Sequence, residues 1–584
     1  MNLTVKDSLL ARSRALSPWA GFYVLQSLLI NLALGYPFSL LYTLAFTCIL
    51  QLLWRSAPRA QKVLIGVCSL VAACYFPFGQ AYGSPNFNTL LALHSTNMEE
   101  STEILTIFPW YNYLMGVFIF ALGVIAVRRK PDEEKKRWNK YDSLCLLFSV
   151  VAFFVTPVQN LAWGGVFKLK DTGYPVFRFA KDVIVNNNEV IDEQERMAKF
   201  ASMKDTWTVT AVKPKYHTYV VVIGESARRD ALGAFGGHWD NTPFASSVNG
   251  YLFADYVAAS GSTQKSLGLT LNRVVDDKPQ YQDNFVTLAN RAGFQTWWFS
   301  NQGQIGEYDT AIASIAKRAD EVHFLKSGDF EADKNTQDEA LLKMTAQVLE
   351  TERTQPQLIV LHLMGSHPQA CDRTKGKYDT FVQSKETSCY LYTMTQTDDL
   401  LRKLYDQLRN SGGSFSLAYF SDHGLAFKER GKEVQYLAHD DQFQQNFQVP
   451  FMVLSSDDKA HKVIKARRSA NDFLGFFSQW TGISAKEIKM KYRFISEQKA
   501  GPVYITNFKL QKVDYNHLGT DVFSTKSRNR RETQPKKIRP LRRIFYITDV
   551  IRSGNRRLRS RCQRQRYEYG SARKRSPAQR FRSG

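Results

Sequence analysis

Residues 415–424 read FSLAYFSDHG, a short apolar run that ends in an adjacent aspartate and histidine followed by glycine. The apolar part has the length and composition of a buried β-strand, so Asp422 and His423 would lie at its carboxyl end. In open α/β sheets, ligands bind in the crevice outside that end of the strands. This stretch therefore predicts an α/β fold and also the position of a polar site within it.

Four other apolar segments have the same form and are separated by stretches long enough for helices. They are TYVVVIGES (218–226), FQTWWFS (294–300), QLIVLHLMGSH (357–367) and VPFMVLSS (449–456). Strands that alternate with helices are typical of a parallel sheet covered by helices on both faces. We therefore expect an α/β domain with a mainly parallel central sheet.

Polar residues collect where these predicted strands end. Glu225 follows the first strand, His362 and His367 lie on or after the third, and Asp422 with His423 follows the fourth. Parallel strands end at one edge of a sheet, and carboxylates with imidazoles suit a divalent metal such as Zn²⁺. Taken singly, the glutamate could cap a helix, a histidine at a strand end could be an ordinary polar side chain on the surface, and Asp-His-Gly could be a turn. Their recurrence at one edge favours a metal site.

A nucleophile could come from GSTQKS (261–266), which separates a strand-like stretch from an apolar one. A hydroxyl at the start of a helix meets free N–H groups and the positive end of the helix dipole, which favour an anion. A nearby divalent cation would activate that hydroxyl. Thr263 is the first candidate, followed by Ser262 and Ser226. The alternative is that Ser262 or Thr263 is only a helix N-cap.

The N-terminal 165 residues are predicted to form a membrane domain with five spans. Residues 15–54 contain no Asp, Glu, Lys or Arg and are interrupted by Gly35-Tyr36-Pro37, which suits two short helices joined by a turn. Further apolar runs cover 63–82, 110–127 and 141–163. One cleaved signal peptide would not explain five apolar runs.

The placement of cations predicts the orientation of these spans. Lys and Arg occur before the first span, between the second and third, and in RRKPDEEKKRWNK (128–140), whereas the loops 35–37 and 83–109 contain none. By the positive-inside rule, the N-terminus is cytoplasmic. An odd number of crossings then puts the chain after Trp163 on the other side of the membrane, which in a bacterium is the periplasm.

Several motifs, in this order, resemble the phosphoethanolamine transferases of Gram-negative envelopes, which belong to the alkaline phosphatase and sulfatase superfamily. The motifs are the five spans, VVIGES (221–226), SGSTQKS (260–266), HLMGSHP (362–368), SDHG (421–424) and a later histidine before VPF (449–451). The resemblance covers nearly all of residues 1–523. It implies an alkaline-phosphatase-like, or sulfatase-like, α/β domain after a five-helix transmembrane bundle, and a metal-dependent phosphotransferase.

The resemblance also implies roles for individual residues. Glu225, Thr263, Asp422 and His423 would hold catalytic Zn²⁺, with Mn²⁺ less favoured, and Thr263 would be the nucleophile that carries phosphoethanolamine.

Substrate-binding residues follow from the same resemblance. His367 and His439 would hold the substrate phosphate or a second zinc ion. In STNMEES (95–101), Thr96 and Glu100 fit the segment that contacts the lipid donor, although Ala92 stands where relatives carry asparagine.

The resemblance is narrowest to enterobacterial members that modify osmoregulated periplasmic glucans, over residues 87–111 and 220–250. It implies phosphatidylethanolamine as donor and a glucan hydroxyl as acceptor. Transfer to lipid A or the lipopolysaccharide core is an alternative, as is a phosphoglycerol transferase with the same metal site. A sulfatase is disfavoured because no C/S-x-P-x-R segment occurs, and a non-enzymatic membrane receptor is a further possibility.

Cysteine positions fit an extracytoplasmic domain. Cys371 and Cys389 lie outside the spans, 18 residues apart, in the stretch after His367. In an oxidising periplasm we expect them to form a disulfide that staples this loop beside the metal site, with a pair of free thiols as the alternative.

The chain thus divides into four predicted parts. Residues 1–165 form the membrane domain and 211–523 the catalytic domain. Residues 166–210 form a connector with an amphipathic interfacial helix, or an ordinary solvated linker helix. Residues 524–584 carry 21 Lys or Arg and 3 Asp or Glu, so this tail holds most of the formal net charge of +23. Its composition predicts disorder, and no nucleic-acid partner is expected. The tail could bind anionic lipid or glucan, and a change of reading frame would give the same composition.

Overall fold

In the computed structural model of the chain, the structure describes residues 18–95, 105, 108–130, 138–162, 167–303, 311–326, 336–351 and 354–523. The predicted donor-binding residues Thr96 and Glu100 lie outside the described residues, as does the basic tail 524–584. The described residues form an N-terminal helical bundle, a long connecting helix and an α/β domain.

The helical bundle consists of apolar helices of two lengths. Its described helices are α1 (Pro18–Ala33), α2 (Leu40–Ser56), α3 (Pro58–Tyr82), α4 (Phe87–Ser95), α5 (Trp110–Arg128) and α6 (Lys140–Ala162). Helices α3, α5 and α6 are long and apolar enough to cross a membrane, whereas α1 and α2 are shorter apolar helices. The predicted turn at residues 35–37 separates α1 from α2. The five-span count stays a prediction.

Small residues and buried polar contacts hold the bundle together. A Cβ on Gly79 would lie 2.3 Å from the Ala33 carbonyl oxygen, so glycine lets α3 approach α1 closely. Gln26 Nε2 donates to Ser69 Oγ at 2.7 Å. Large apolar side chains on α5 and α6 point outward, as expected for a lipid-facing surface. Examples are Leu114, Val117, Leu144 and Leu147.

Helix α7 (Pro175–Ala201) lies between the bundle and the α/β domain. On the bundle side, Tyr36 Oη donates to Asp182 Oδ2 at 2.8 Å. On the other side, Tyr281 Oη donates to Glu193. Val190 is buried in a small cluster with Phe87 of α4. The predicted connector helix is therefore present and is packed against both parts.

Nineteen described strands follow the connector. They are β1 (Val209–Val212), β2 (Thr218–Gly224), β3 (Gly250–Phe253), β4 (Tyr256–Val257), β5 (Asn272–Val275), β6 (Lys278–Asn284), β7 (Gln295–Gly303), β8 (Glu321–Lys326), β9 (Gln357–His362), β10 (Phe415–Ser421), β11 (Ala426–Lys428), β12 (Tyr436–Ala438), β13 (Gln448–Val449), β14 (Phe451–Ser455), β15 (His461–Ile464), β16 (Arg468–Ser469), β17 (Ile483–Ala485), β18 (Tyr504–Thr506) and β19 (Lys512–Asp514).

Eight of these strands form one mixed central sheet in the order β15-β3-β14-β10-β2-β9-β7-β8. The strands from β10 to β8 are parallel to one another, as predicted for the region of the site. VPFMVLSS forms β14, which runs antiparallel to β10, so the sheet is mixed. The chain between them, residues 422–450, contains no α-helix that could serve as the crossover that parallel neighbours need.

Helices cover both faces of the sheet. The described helices of this domain are α8 (Pro243–Ser247), α9 (Thr263–Thr270), α10 (Phe285–Arg291), α11 (Ala311–Ala316), α12 (Ala340–Leu349), α13 (Ala370–Arg373), α14 (Lys385–Asn410) and α15 (Phe473–Thr481). Alternate residues of β2 enter different cores: Tyr219 and Val221 pack on one face with α9, α10 and α15, and Val220 and Val222 pack on the other with α12 and α14. This sandwich buries β2 on both faces, which explains its unbroken apolar run.

Candidate active site

The carboxyl ends of β2 and β10 bring the predicted ligands together. These strands pair in parallel from Thr218 opposite Phe415 to Gly224 opposite Ser421, so Glu225 and Asp422 leave the sheet at the same level. Glu225, Asp422 and His423 are buried. The glycine of the Asp-His-Gly motif is needed for space, because a Cβ on Gly424 would lie 2.3 Å from the Gln445 carbonyl oxygen.

Thr263 lies where the sequence places it, at the first position of α9. Its Oγ1 is 3.2 and 3.0 Å from the two carboxylate oxygens of Glu225 and 3.2 Å from His423 Nε2. Ser262 occupies the N-cap position, but its side chain makes no capping hydrogen bond. The hydroxyl of Thr263 is therefore held between a carboxylate and an imidazole, which is a suitable environment for a nucleophile.

The side chain of His423 directs a ring nitrogen toward Thr263 and Glu225. Its Nδ1 is 2.8 Å from the Gly424 carbonyl oxygen, so Nδ1 carries the proton in the neutral ring and Nε2 is the free ligand atom. Nε2 lies 3.3 Å from Glu225 Oε1 and 3.3 Å from Asp422 Oδ2. Asp422 Oδ1 accepts from the backbone N–H groups of Ser226 and His423, at 2.9 and 2.7 Å. Asp422 Oδ2 is buried without a hydrogen-bond partner among the described residues.

The electrostatics of this cluster favour the binding of a cation. Burial and the neighbouring Glu225 carboxylate raise the pKa of Asp422 to about 7. Burial lowers the pKa of His423, but the Asp422 and Glu225 carboxylates outweigh it and raise the value to about 9. The two buried carboxylates thus favour a proton on the imidazole, which partly compensates their negative charge. A divalent cation would compensate that charge more strongly. The site offers two carboxylates, an imidazole and a hydroxyl, and Asp422 Oδ2 makes no hydrogen bond to a described residue. This set of ligand types fits Zn²⁺.

Two further histidines lie beside this cluster. The rings of His423 and His439 are 4.8 Å apart, and those of His439 and His367 are 6.4 Å apart. Ligand atoms of Glu225, His423 and His439 all lie within 4.8 Å of one another, so His439 is close enough to share an ion. Burial lowers the pKa of His367 to about 4 and that of His439 to about 3, so both rings are neutral near pH 7.

His362 takes a different position from the other histidines. It is buried on β9, and its Nδ1 lies 3.3 Å from Ser300 Oγ. No described hydrogen bond joins its ring to Glu225, whose carboxylate influences the pKa of His362 only through its charge. The structural alternative for this residue, a polar side chain at a strand end, is the better description.

Two residues that hold Glu225 were not identified by the sequence analysis in that role. Gln302, at the end of β7, donates from Nε2 to Glu225 Oε2 at 3.0 Å. Ser226 Oγ donates to Glu225 Oε1 at 2.6 Å, and its φ of 59° lies in the left-handed region that non-glycine residues rarely adopt. Ser226, considered as a nucleophile, thus contacts Glu225. The one signal for Gln302 is its position just after a predicted strand.

Comparison with known proteins identifies the family. Residues 217–483 match the Sulfatase family model. A relative from Escherichia coli (strain K12), phosphoethanolamine transferase OpgE, is 86% identical over 526 residues, which make up 90% of this chain and 100% of the relative. The chain belongs to the phosphoethanolamine transferase family. The predicted family and enzyme class are confirmed.

This chain is also similar to more distant members of the phosphoethanolamine transferase family. A putative phosphoethanolamine transferase from Haemophilus influenzae (strain ATCC 51907 / DSM 11121 / KW20 / Rd) is 31% identical over 382 residues, covering 63% of this chain and 74% of the relative. The structure of lipooligosaccharide phosphoethanolamine transferase A from Neisseria meningitidis is similar with a TM-score of 0.54 and 16% identity, over 80% of this chain and 97% of that one. That similarity shows a shared fold, a membrane helical region together with a sulfatase-like domain.

Arg228 joins the two loops that carry the site of this phosphoethanolamine transferase. It is fully buried, donates from Nη1 to the Leu425 carbonyl oxygen at 3.0 Å and pairs with Asp230 through Nε and Nη2, at 2.9 and 2.7 Å. It also pairs with Asp521, at 3.3 Å, near the end of the described chain. Its backbone N–H donates to Tyr390 Oη at 2.9 Å. Arg228 is therefore a positioning residue for the Glu225 and Asp422 loops.

Substituting Arg228 by methionine, which is similar in length, should destabilise the protein by about 3–5 kcal/mol, because two acidic partners lose their buried cation. Thermal unfolding of the purified protein measures this loss. Arg402→Met is the matched control, since Arg402 pairs with Asp399 and Asp406 on the surface and should show no measurable change. Equal unfolding temperatures for Arg228→Met and wild type would contradict the assigned role.

The two cysteines that were expected to form a disulfide are joined in the structure. Cys371 on α13 and Cys389 on α14 form a disulfide with a Cα–Cα distance of 4.9 Å. The bridge lies shortly after His367 and constrains the loop between α13 and α14.

Replacing both cysteines with serine should lower the free energy of unfolding by about 3 kcal/mol, as expected for a closed loop of this length. The check is thermal unfolding with and without reductant. Reductant should lower the unfolding temperature of wild type and leave that of the double-serine variant unchanged. If wild type were equally insensitive to reductant, the bridge would not contribute to stability.

Proposed function

We propose that this chain transfers phosphoethanolamine from phosphatidylethanolamine to a hydroxyl of an osmoregulated periplasmic glucan, through a phospho-threonine at Thr263. The observation that carries the proposal is the position of Thr263 Oγ1, at a helix start and within 3.2 Å of both Glu225 and His423. A relative named as a phosphoethanolamine transferase and 86% identical over 526 residues supports the transferred group. The acceptor rests on the sequence resemblance.

In this proposal Glu225, Thr263, Asp422 and His423 hold Zn²⁺, with Mn²⁺ as the less favoured metal. Asp422 Oδ2 lies 3.3 Å and Thr263 Oγ1 3.2 Å from His423 Nε2, and this close grouping of ligand atoms supports the assignment. When bound, Zn²⁺ would stabilise the threonine alkoxide and the negative charge on the transferring oxygens.

The protein's residues then carry out two displacements at phosphorus. The Thr263 hydroxyl, which contacts Glu225, loses its proton to His439 or His367 as Oγ1 attacks the head-group phosphorus. A bond forms between Oγ1 and phosphorus, the bond from phosphorus to the diacylglycerol oxygen breaks, and that oxygen takes up the proton that Thr263 released. The acceptor oxygen then attacks the phospho-threonine from the opposite side, the bond from phosphorus to Oγ1 breaks, and the acceptor's proton passes to Oγ1 and regenerates Thr263.

His367 and His439 are positioned to move protons in both steps. The His439 ring lies 4.8 Å from that of His423 and the His367 ring 6.4 Å from that of His439, and burial keeps both neutral near pH 7. A neutral imidazole can accept the proton of the acceptor hydroxyl, and the resulting imidazolium can protonate a leaving oxygen. We assign these two histidines to substrate phosphate binding and proton transfer.

The donor reaches the site from the membrane. We propose an inner-membrane protein with five spans over residues 1–165, a cytoplasmic N-terminus and a periplasmic catalytic domain over 211–523, joined by a connector over 166–210.

Lys265, on the helix that begins with Thr263, lies 5.8 Å from the ring of Phe87 on α4. Thr96 and Glu100, which come after α4 in the chain, are proposed to contact the lipid donor.

The acceptor can be tested directly. Purified protein in proteoliposomes that contain head-group-labelled phosphatidylethanolamine is offered purified periplasmic glucan or lipid A. We expect label on the glucan and none with Thr263→Ala. Label on lipid A alone would overturn the proposed acceptor. Transfer from phosphatidylglycerol in place of phosphatidylethanolamine would indicate a phosphoglycerol transferase.

A further inference from the structure

The loop between α13 and α14, residues 374–384, exposes aromatic and basic side chains side by side. Phe381 is 61% exposed and Tyr378 38% exposed, and their ring centroids lie 6.2 Å apart. Lys375 and Lys377 on the same loop are exposed. The disulfide between α13 and α14 closes this loop at its base. We call residues 374–384 the stapled loop.

The stapled loop lies beside the membrane bundle. Gln383 Nε2 donates to the Gly431 carbonyl oxygen at 3.0 Å, and Ser384 Oγ donates to the Gln435 carbonyl oxygen at 2.6 Å. The segment that accepts these bonds reaches the bundle, because Lys432 Nζ lies 5.9 Å from the ring of Tyr111.

The contact on the bundle is at the end of a candidate span. Tyr111 is the second residue of α5, a helix long and apolar enough to cross a membrane. Its neighbour Trp110 is 70% exposed. Exposed Trp at the end of a membrane helix marks the level of the lipid head groups. Through residues 431–435, the stapled loop is therefore connected to the bundle at the head-group level.

We propose that the stapled loop rests in the phospholipid head-group layer of the bilayer that holds the bundle, with Phe381 and Tyr378 among the glycerol and acyl groups. Aromatic side chains prefer this layer, and lysines on the same loop can reach lipid phosphates while their stems stay on apolar surface. The disulfide and the two hydrogen bonds fix the loop before it meets lipid, so little conformational freedom is lost on docking. This contact would hold the entrance of the active site toward lipid.

A bilayer suits the loop better than a sugar chain does. Aromatic rings also stack on sugars, but continuity with the Tyr111 and Trp110 end of α5 places this loop where lipid would lie. The proposal rests on the membrane placement of the bundle and not on the acceptor, so it can fail or succeed independently of glucan transfer.

The test measures the depth of the loop in a membrane. A spin label is attached to Phe381→Cys in full-length protein whose five cysteines outside the disulfide are replaced by serine. The protein is placed in nanodiscs that contain phosphatidylethanolamine and phosphatidylglycerol. The control is a label at Val463→Cys, on the exposed edge strand β15, where the native side chain is 46% exposed. The accessibility of each label to oxygen and to a water-soluble nickel chelate is measured.

We expect the label at position 381 to be at least twofold more accessible to oxygen than the label at 463, and at least twofold less accessible to the nickel chelate. Equal accessibility at the two positions would overturn the proposal. Protection of position 381 that appears only on adding glucan would also overturn it, because the occupant would then be carbohydrate. Neither result depends on transferase activity, so failure here is distinguishable from failure of the proposed reaction.

Discussion

Thr263→Ala should lower phosphoethanolamine transfer at least about 10³-fold, since it removes the attacking oxygen from the site. The hydroxyl lies within 3.2 Å of Glu225 and His423, and the other candidate serines lack this position. Alanine is a good helix former, so α9 should remain folded. Transfer of labelled head group in proteoliposomes measures the loss, and the unfolding temperature verifies the fold.

Matched variants make this prediction specific to the hydroxyl. Thr263→Ser keeps the nucleophilic oxygen and should retain a substantial part of the activity. Ser262→Ala removes a neighbouring hydroxyl that makes no capping bond and should change the rate little. If Thr263→Ala kept more than a tenth of wild-type transfer, the nucleophile would have to be assigned to another group.

Asp422→Asn and His423→Ala should each abolish tight metal binding and transfer together. The affinity for metal should fall at least about 100-fold, since even indirect partners of a metal ligand are worth about 10–100-fold. Both side chains are buried, and their free atoms, Asp422 Oδ2 and His423 Nε2, lie 3.3 Å apart. Metal content by mass spectrometry, measured beside activity, tests the prediction.

A buried carboxylate away from the site provides the control. Asp398 accepts from the backbone N–H groups of Phe244 and Ala245 at 2.8 and 2.9 Å, so Asp398→Asn tests the loss of a buried charge alone. It should leave the metal content unchanged. Chelation should inactivate wild type, and Zn²⁺ should restore activity better than Mn²⁺. Undiminished transfer after changes at Glu225, Asp422 and His423 would overturn their assignment as metal ligands.

The sequence was sufficient to predict the parts of this site that follow from strand direction. Apolar runs ending in Gly-Glu-Ser and Ser-Asp-His-Gly identified β2 and β10, and parallel pairing of neighbouring strands brings their ends together. The start of α9 at Thr263 was predictable from the apolar segment that follows GSTQKS. In each case a local pattern determined the outcome.

Features that depend on long-range packing could not be predicted in the same way. The antiparallel direction of β14 depends on the path of residues 422–450 back to the sheet. The apolar pattern of a strand does not indicate that path. Gln302 contacts Glu225 across 77 residues, and Arg228 pairs with Asp521 across 293 residues. An amide and an arginine have many uses in a protein, so their types alone indicated neither contact.

The helix count shows a limit of a different kind. Helices α1 and α2 contain 16 and 17 residues, below the roughly 20 residues that span a bilayer without adjustment. The charge-free stretch 15–54 predicted two spans, and the structure gives two shorter apolar helices separated near Gly35. Local thinning of the bilayer accommodates such lengths, so length alone does not decide whether they cross.

The most direct test of the central claim is mass spectrometry of intact and digested protein after incubation with Zn²⁺ and phosphatidylethanolamine, without acceptor. Wild type should carry one phosphoethanolamine group on Thr263, the adduct should disappear when glucan is added, and Thr263→Ala should carry none. A wild-type protein that binds zinc and transfers the head group but never carries an adduct on Thr263 would contradict the covalent route.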